Sequence, residues 1–250
     1  MRIYILLTVL LFNSGWLFAA EGEMLYEFSP DLTDQQALQR GARTFVNYCQ
    51  TCHSASYMRY NRMGEDLGIP DDVLLENFMF GTDKVGDTME IAMSAEDGEK
   101  YFGIAPPDLS VTARARGAEW LYNYLMTFYL DPAKPTGVNN LVFRDVAMPH
   151  VLWELQGWQS AVYHEETGED GELVRTIDHL EITSEPASKP QAYQGESYEQ
   201  TVSDLVNFMV YLGEPIQLKR KSYGVWVILY LVFLLVIVYF LKKEYWKDVY

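Results

Sequence analysis

Two cysteines in 250 residues are too few to staple a chain of this length, so a disulfide-framed fold is excluded. Positive charge is also scarce: 19 Lys and Arg stand against 35 Asp and Glu, a formal net charge of -16. A protein held to nucleic acid by phosphate contacts needs a basic face, and no surplus exists to build one, so no nucleic-acid partner is expected. Internal repeats and low-complexity tracts are missing too. With 49% apolar and only 22% charged residues, the composition exceeds that of a disordered chain. Long hydrophobic runs are absent from the middle of the chain and confined to its two ends.

At the N-terminus a single Arg2 precedes the uncharged run Ile3 to Phe12, and small residues lead to Ala19-Ala20 before Glu21. That is the form of a secretory signal peptide over residues 1–20, with an uncleaved anchor as the alternative because Leu17 and Phe18 spoil the cleavage pattern. Near the other end, Tyr223 to Leu241 carries no charge over nineteen residues. As a helix this run spans ~28 Å, close to the ~30 Å hydrocarbon core of a bilayer. Lys219, Arg220 and Lys221 precede it, and Lys242, Lys243 and Lys247 follow, so the basic residues alone do not orient it. Export of the N-terminal part decides the matter: residues 21–218 are expected outside the cytoplasm, residues 223–241 in the lipid, and residues 242–250 in the cytoplasm.

The exported stretch holds 33 acidic and 12 basic residues. Helix signals come in three places. A capping box at Thr33-Asp34-Gln35-Gln36 opens a stripe of Ala37, Leu38, Ala42, Phe45 and Val46 that leads into Cys49. A Trp- and Tyr-rich stretch runs from Gly117 to Tyr129. Ser197-Tyr198-Glu199-Gln200 opens a third helix that stops at Gly213 with Pro215 beyond. Asp83 to Pro107, Asp131 to Asn140 and Glu165 to Gln194 read as long connections. Such loops are tolerable in a compact domain when something other than protein fills its centre.

Cys49-Gln50-Thr51-Cys52-His53 supplies that filling. C-x-x-C-H is the attachment signature of a c-type haem. Two thiols three positions apart can add to the two vinyl groups on one porphyrin edge, and the adjacent imidazole meets the iron. A redox dithiol would not require His53, and a zinc site would need further ligands that no other cysteine provides. One motif means one covalent haem. The other axial position decides between electron transfer and ligand chemistry. Met148-Pro149-His150 is the leading source, because Pro149 forces Met148 out of helical geometry and presents its thioether from a stiff loop. His150 is the nearest rival, while Met58, Met89 and Met93 read as packing. Ala105-Pro106-Pro107-Asp108-Leu109-Ser110 is a rigid segment suited to lying against a flat ring. A carbonyl of Pro106 or Pro107 is the expected partner of the second His53 nitrogen. Arg114 and Arg116 are sparse cations suited to haem carboxylates.

These residues, together with Tyr60-Asn61-Arg62, Arg114-Ala115-Arg116, Pro135-Thr136-Gly137-Val138-Asn139-Asn140 and the C-terminal anchor, resemble cytochrome c1, particularly its bacterial branch. The likeness runs in order through nearly the whole chain. It implies a mainly α, cytochrome c-like haem domain with long loop insertions and one C-terminal transmembrane helix. It implies thioether attachment at Cys49 and Cys52, iron ligation by His53 and Met148, a propionate partner in Arg116 and haem packing by Pro107. The family often carries Met-Ala-Pro-Pro where this chain has Met148-Pro149-His150. The function implied is one-electron transfer from a Rieske iron–sulfur protein to a cytochrome c. It operates beside cytochrome b in the quinol–cytochrome c oxidoreductase of a bacterial inner membrane, with the haem domain periplasmic. The chain is then no enzyme on its own. A monohaem subunit of a terminal oxidase and a membrane-anchored haem enzyme or sensor are the alternatives. The acidic stretch from Glu154 to Glu199 suits a cytochrome with a basic rim, and equally a solvated loop.

Overall fold

The computed structural model describes residues 24–167, 173–184, 187 and 197–248. The expected signal peptide and acidic residues Glu169, Asp170 and Glu172 lie outside them. The chain is mainly helical, with small sheets. It begins with α1 (Gln35–Thr44), whose cap lies one residue later than the capping box suggests. The Asp34 carboxylate accepts from the Ala37 amide at 3.0 Å, while Thr33 turns back to Asp31. A π-helical turn (Phe45–Cys49) continues α1 into the cysteine motif. Next come β1 (Ala55–Arg59), α2 (Tyr60–Leu67) and α3 (Asp71–Asn77). They are followed by β2 (Thr88–Met89), α4 (Ala95–Phe102), α5 (Thr112–Arg116) and α6 (Ala118–Met126). Then β3 (Phe128–Leu130), β4 (Val138–Asn140), α7 (Trp153–Gln156), β5 (Gln159–Thr167) and β6 (Leu173–Ile182) lead to α8 (Tyr198–Gly213) and α9 (Gln217–Tyr245).

The three expected helices are α1, α6 and α8, although α6 stops at Met126 and the following residues turn into β3. The stretches expected as loops carry more order than their composition indicates. The first contains β2 and α4, the second closes an antiparallel pair of β3 and β4, and the third contributes most of the β5–β6 hairpin. Among the described residues there are three sheets, each of two strands.

The core forms where α1 crosses α8. A Cβ on Gly41 would lie 2.0 Å from the Asp204 carbonyl oxygen and 2.8 Å from Phe208 Cβ, so only glycine permits the approach. Phe45 and Phe208 meet beside the crossing with centroids 5.5 Å apart. Arg40 clamps it through Nε to Asp204 Oδ2 at 2.6 Å and a second nitrogen to Oδ1 at 3.1 Å, with the Asp204 side chain only 1% exposed. The Tyr211 hydroxyl donates to Asp66 at 2.9 Å, tying α8 to α2. Ser197 Oγ caps α8 through the Gln200 amide, as its capping box indicates.

Helix α9 stands apart from this core. None of its residues is buried, and its 29 residues are long and apolar enough to cross a membrane. A bare apolar helix of this length is stable only in a solvent as apolar as itself.

Candidate haem site

The π-helical turn delivers Cys49 buried against the α1–α8 core, and the following turn leaves Cys52 half-exposed. No disulfide joins them. Burial, with a smaller contribution from Cys52, pushes the Cys49 thiol up to about 12, and burial also raises Cys52. A redox dithiol works through a depressed thiol pKa, so the environment argues against that use of the pair. Among the described residues no group of three or more His, Cys, Asp or Glu side chains could hold a metal ion.

The His53 amide donates to the Cys49 carbonyl at 2.9 Å, so the imidazole emerges beside the two thiols. Its Nδ1 lies 2.7 Å from the Pro107 carbonyl oxygen. A carbonyl only accepts, so Nδ1 carries the proton and Nε2 the free lone pair of a metal ligand. Burial lowers the pKa of the ring, the Pro107 contact and Asp108 partly offsetting it, and so favours the neutral, ligating form. Pro107 is therefore placed by the structure as the partner of His53. The segment is latched along its length: Leu109 N donates to Ser54 O at 2.8 Å, Ser56 N to Asp108 Oδ2 at 2.9 Å and Tyr57 N to Ser110 Oγ at 3.1 Å.

Met148 is half-buried in the loop after β4, packed against Phe128, Val138 and Val146. Its sulfur accepts a hydrogen bond from the Tyr124 hydroxyl at 3.3 Å. That contact has no signature in the sequence, since the two residues lie 24 positions apart in different elements. His150 is 5% exposed, with its ring stacked on Phe128 at 5.0 Å and 5° and set edge-on to Trp158. Its Nε2 has no well-formed hydrogen bond among the described residues, and burial, partly offset by the nearby Gln156 amide, lowers its pKa to about 4. Met58 and Met89 are fully enclosed in the core, as expected of packing residues, whereas Met93 is half-buried beside the Pro106 loop.

Arg116 ends α5 with its guanidinium 5.0 Å from the Trp120 ring centroid and 5.9 Å from that of Phe143, and no carboxylate is paired with it among the described residues. Arg114 instead approaches Glu214 at 3.7 Å. Cys49, Cys52 and the oriented imidazole of His53 are a donor set that fits a covalently attached haem, while Met148 packs in a separate cluster with Phe128, Val138 and Val146.

The fold and this donor set define a membrane-anchored c-type haem protein. Residues 191–249 match the Cytochrome C1 family. Over its whole length the chain is 47% identical to cytochrome c1 of Allochromatium vinosum, all of which is covered. It is 48% identical to a protein of Nitrosomonas europaea named ammonia monooxygenase gamma subunit, over 88% of this chain and 86% of that one. It is 27% identical to cytochrome c1 of Rhodospirillum rubrum, over 86% and 83% of the two chains. The chain belongs to the cytochrome c1 family. It is the haem-bearing electron-transfer subunit of a cytochrome bc1 complex, carries one covalent c-type haem and works in the membrane with cytochrome b and the Rieske protein. It is not an enzyme by itself.

Proposed function

We propose that Cys49 and Cys52 would hold the haem through thioether bonds and that His53 and Met148 would supply the nitrogen and sulfur ligands to its iron. The observation that carries this reading is the anchored imidazole: with Nδ1 held by Pro107 O at 2.7 Å, Nε2 of His53 is the nitrogen free for iron. Bound there, the haem supplies a one-electron ferric/ferrous couple. The residues around it do the rest. The latched Pro107 segment keeps the imidazole from rotating and packs on the ring. Arg116 pairs a propionate, a role supported by its lack of a carboxylate partner among the described residues. The stiff loop before Pro149 holds the thioether in place, so the coordination changes little between charge states.

In this reading residues 21–218 form the haem domain on the periplasmic side of a bacterial inner membrane, after a signal peptide at residues 1–20. Residues 223–241 cross the lipid, and residues 242–250 are cytoplasmic. The Rieske protein donates the electron and a cytochrome c accepts it. Exposed Glu165, Asp178 and Glu181 on the β5–β6 hairpin support steering of an acceptor with a basic rim.

Visible spectroscopy of the ferric protein tests the ligand set. Met148→Leu is expected to remove the sulfur-to-iron charge-transfer band, and His150→Ala to leave it. A band that persists in Met148→Leu overturns the assignment. Purification of the complex tests the partners: cytochrome b and a Rieske protein are expected with this chain, and a copper–haem subunit in their place would transfer it to a terminal oxidase. Protease accessibility in spheroplasts tests the sidedness.

A further inference from the structure

Around Met148 the structure holds a continuous ladder of side chains. Trp120 and Tyr124 stand four residues apart on α6 and so share one face, and Arg116, at the end of α5 before the break at Gly117, reaches that face from the preceding helix. The guanidinium lies over Trp120, Trp120 stacks on Tyr124 at 5.1 Å and 10°, and the Tyr124 hydroxyl reaches Met148 Sδ at 3.3 Å. Phe128 meets the Tyr124 ring edge-on at 5.2 Å and Phe143 at 6.5 Å. The backbone beneath is pinned as well: Asn140 Nδ2 donates to the Tyr124 carbonyl at 2.7 Å. A tyrosine ring gripped on this many sides has little rotamer freedom, so its hydroxyl is aimed by the fold rather than by the sulfur. Thioether sulfur is a weak acceptor, and a bond to it at this geometry is one the surroundings impose.

We propose that Tyr124 is a positioning residue for Met148 and raises the reduction potential of the iron through it. This rests on Met148 being an axial ligand. A sulfur that gave one lone pair to the iron would still have its other lone pair for the Tyr124 hydroxyl. Donation from the hydroxyl withdraws electron density from the sulfur and makes it a poorer donor. The ferric ion, which needs that donation more, loses more than the ferrous ion, and the couple shifts toward reduction. The same bond fixes the thioether's rotation, a second effect that packing alone would not give an unbranched side chain.

The test uses the full-length holoprotein in detergent, with Tyr124→Phe, which keeps every ring contact and deletes only the hydroxyl. Covalent haem content is expected to be unchanged. At a fixed poise near the midpoint, the oxidised-to-reduced ratio is expected to rise about two- to tenfold, the worth of one neutral hydrogen bond. The sulfur-to-iron band is expected to persist at a shifted wavelength. In a Met148→His background the same exchange should leave the ratio unchanged, because no sulfur remains to accept. An unaltered ratio in Tyr124→Phe overturns the proposal, and so does an equal shift in both backgrounds, which would mark a structural role. A band surviving in Met148→Leu is a different failure, that of the ligand assignment. Should Tyr124→Phe not accumulate, NMR of the reduced wild-type protein decides: a slowly exchanging tyrosine hydroxyl proton close to the Met148 methyl is expected, and its absence overturns the proposal.

Discussion

His53 Nδ1 and the carbonyl oxygen of Pro107 lie 2.7 Å apart across 54 positions of sequence. The proline offers no amide proton of its own, and its carbonyl is turned to the imidazole because the residues after it are tethered. Asp108 is the main tether, accepting from the Ser56 amide at 2.9 Å and the Ser110 amide at 2.8 Å. Burial works against its charge, but the hydrogen bonds from Ser110 and Ser56 outweigh it and hold the carboxyl below its usual range.

Asp108→Ala is therefore expected to cost about 1–2 kcal/mol near neutral pH, the worth of two partly exposed hydrogen bonds to a carboxylate. Because the folded-state pKa is depressed, this stabilisation is present above the unfolded-state value and is lost as pH falls through the folded-state value. Urea titrations of wild type and variant, followed by the Soret band, should separate most at neutral pH and converge toward acid. A gap that widened on acidification would contradict the assignment.

Gly41→Ala should be among the most damaging small substitutions in the chain. The added methyl would meet the Asp204 carbonyl at 2.0 Å and its carbon at 2.7 Å, both backbone atoms that move only if α1 and α8 separate. Overpacking costs ~1–3 kcal/mol, and a backbone obstacle puts this case at the top of that range. A fall in thermal midpoint of the haem domain measures it, and an unchanged midpoint would show that the two helices are further apart than described.

Asp204→Ala removes the partner of Arg40 from a site where the carboxylate is 1% exposed but the guanidinium retains 27% exposure. Breaking a buried pair costs ~3–5 kcal/mol, and the partial exposure of Arg40 brings the expected loss to about 2–3 kcal/mol. Gln200→Ala, which deletes only the amide contact to Asp204 Oδ1 at 2.9 Å, should cost about 1 kcal/mol or less. Denaturant midpoints compare the two; equal losses would place the energy outside the Arg40 pair.

Lysines at Glu165, Asp178 and Glu181 together are expected to slow electron delivery to a cytochrome with a basic rim at low salt and to leave the rate at high salt unaltered. These side chains are exposed and their pairs with Arg175 and His179 lie at the surface, so the loss of those pairs should cost the fold little. Screening within ~10 Å at 0.1 M salt sets the range over which the effect fades. A rate insensitive to both charge and salt would return the hairpin to the role of a solvated loop.

How far the chain could be read in advance differs by feature. The attachment motif is legible because its chemistry needs three residues within five positions, and the anchor because bilayer thickness dictates a run length. The caps of α8 follow from local backbone demands, and so does the stop at Gly213. The β5–β6 hairpin is not legible. Its strands carry charge on exposed positions such as Glu165, Arg175 and Asp178, so the alternation that marks a half-buried strand is blurred. Helices α2, α3 and α4 are short, and α4 buries little, so their apolar periodicity barely repeats.

Sequence alone determined what bonds locally: two thiols and an imidazole for one haem, an apolar helix for the lipid, and the family to which the whole pattern belongs. The tertiary structure decided what depends on distant segments meeting. It selected Pro107 rather than Pro106 to hold His53, put Tyr124 against Met148, and drew Gly41 onto Asp204. Each of these pairs lies between about twenty and well over a hundred residues apart, and nothing in local propensity or spacing encodes a contact that exists only once the helices have packed.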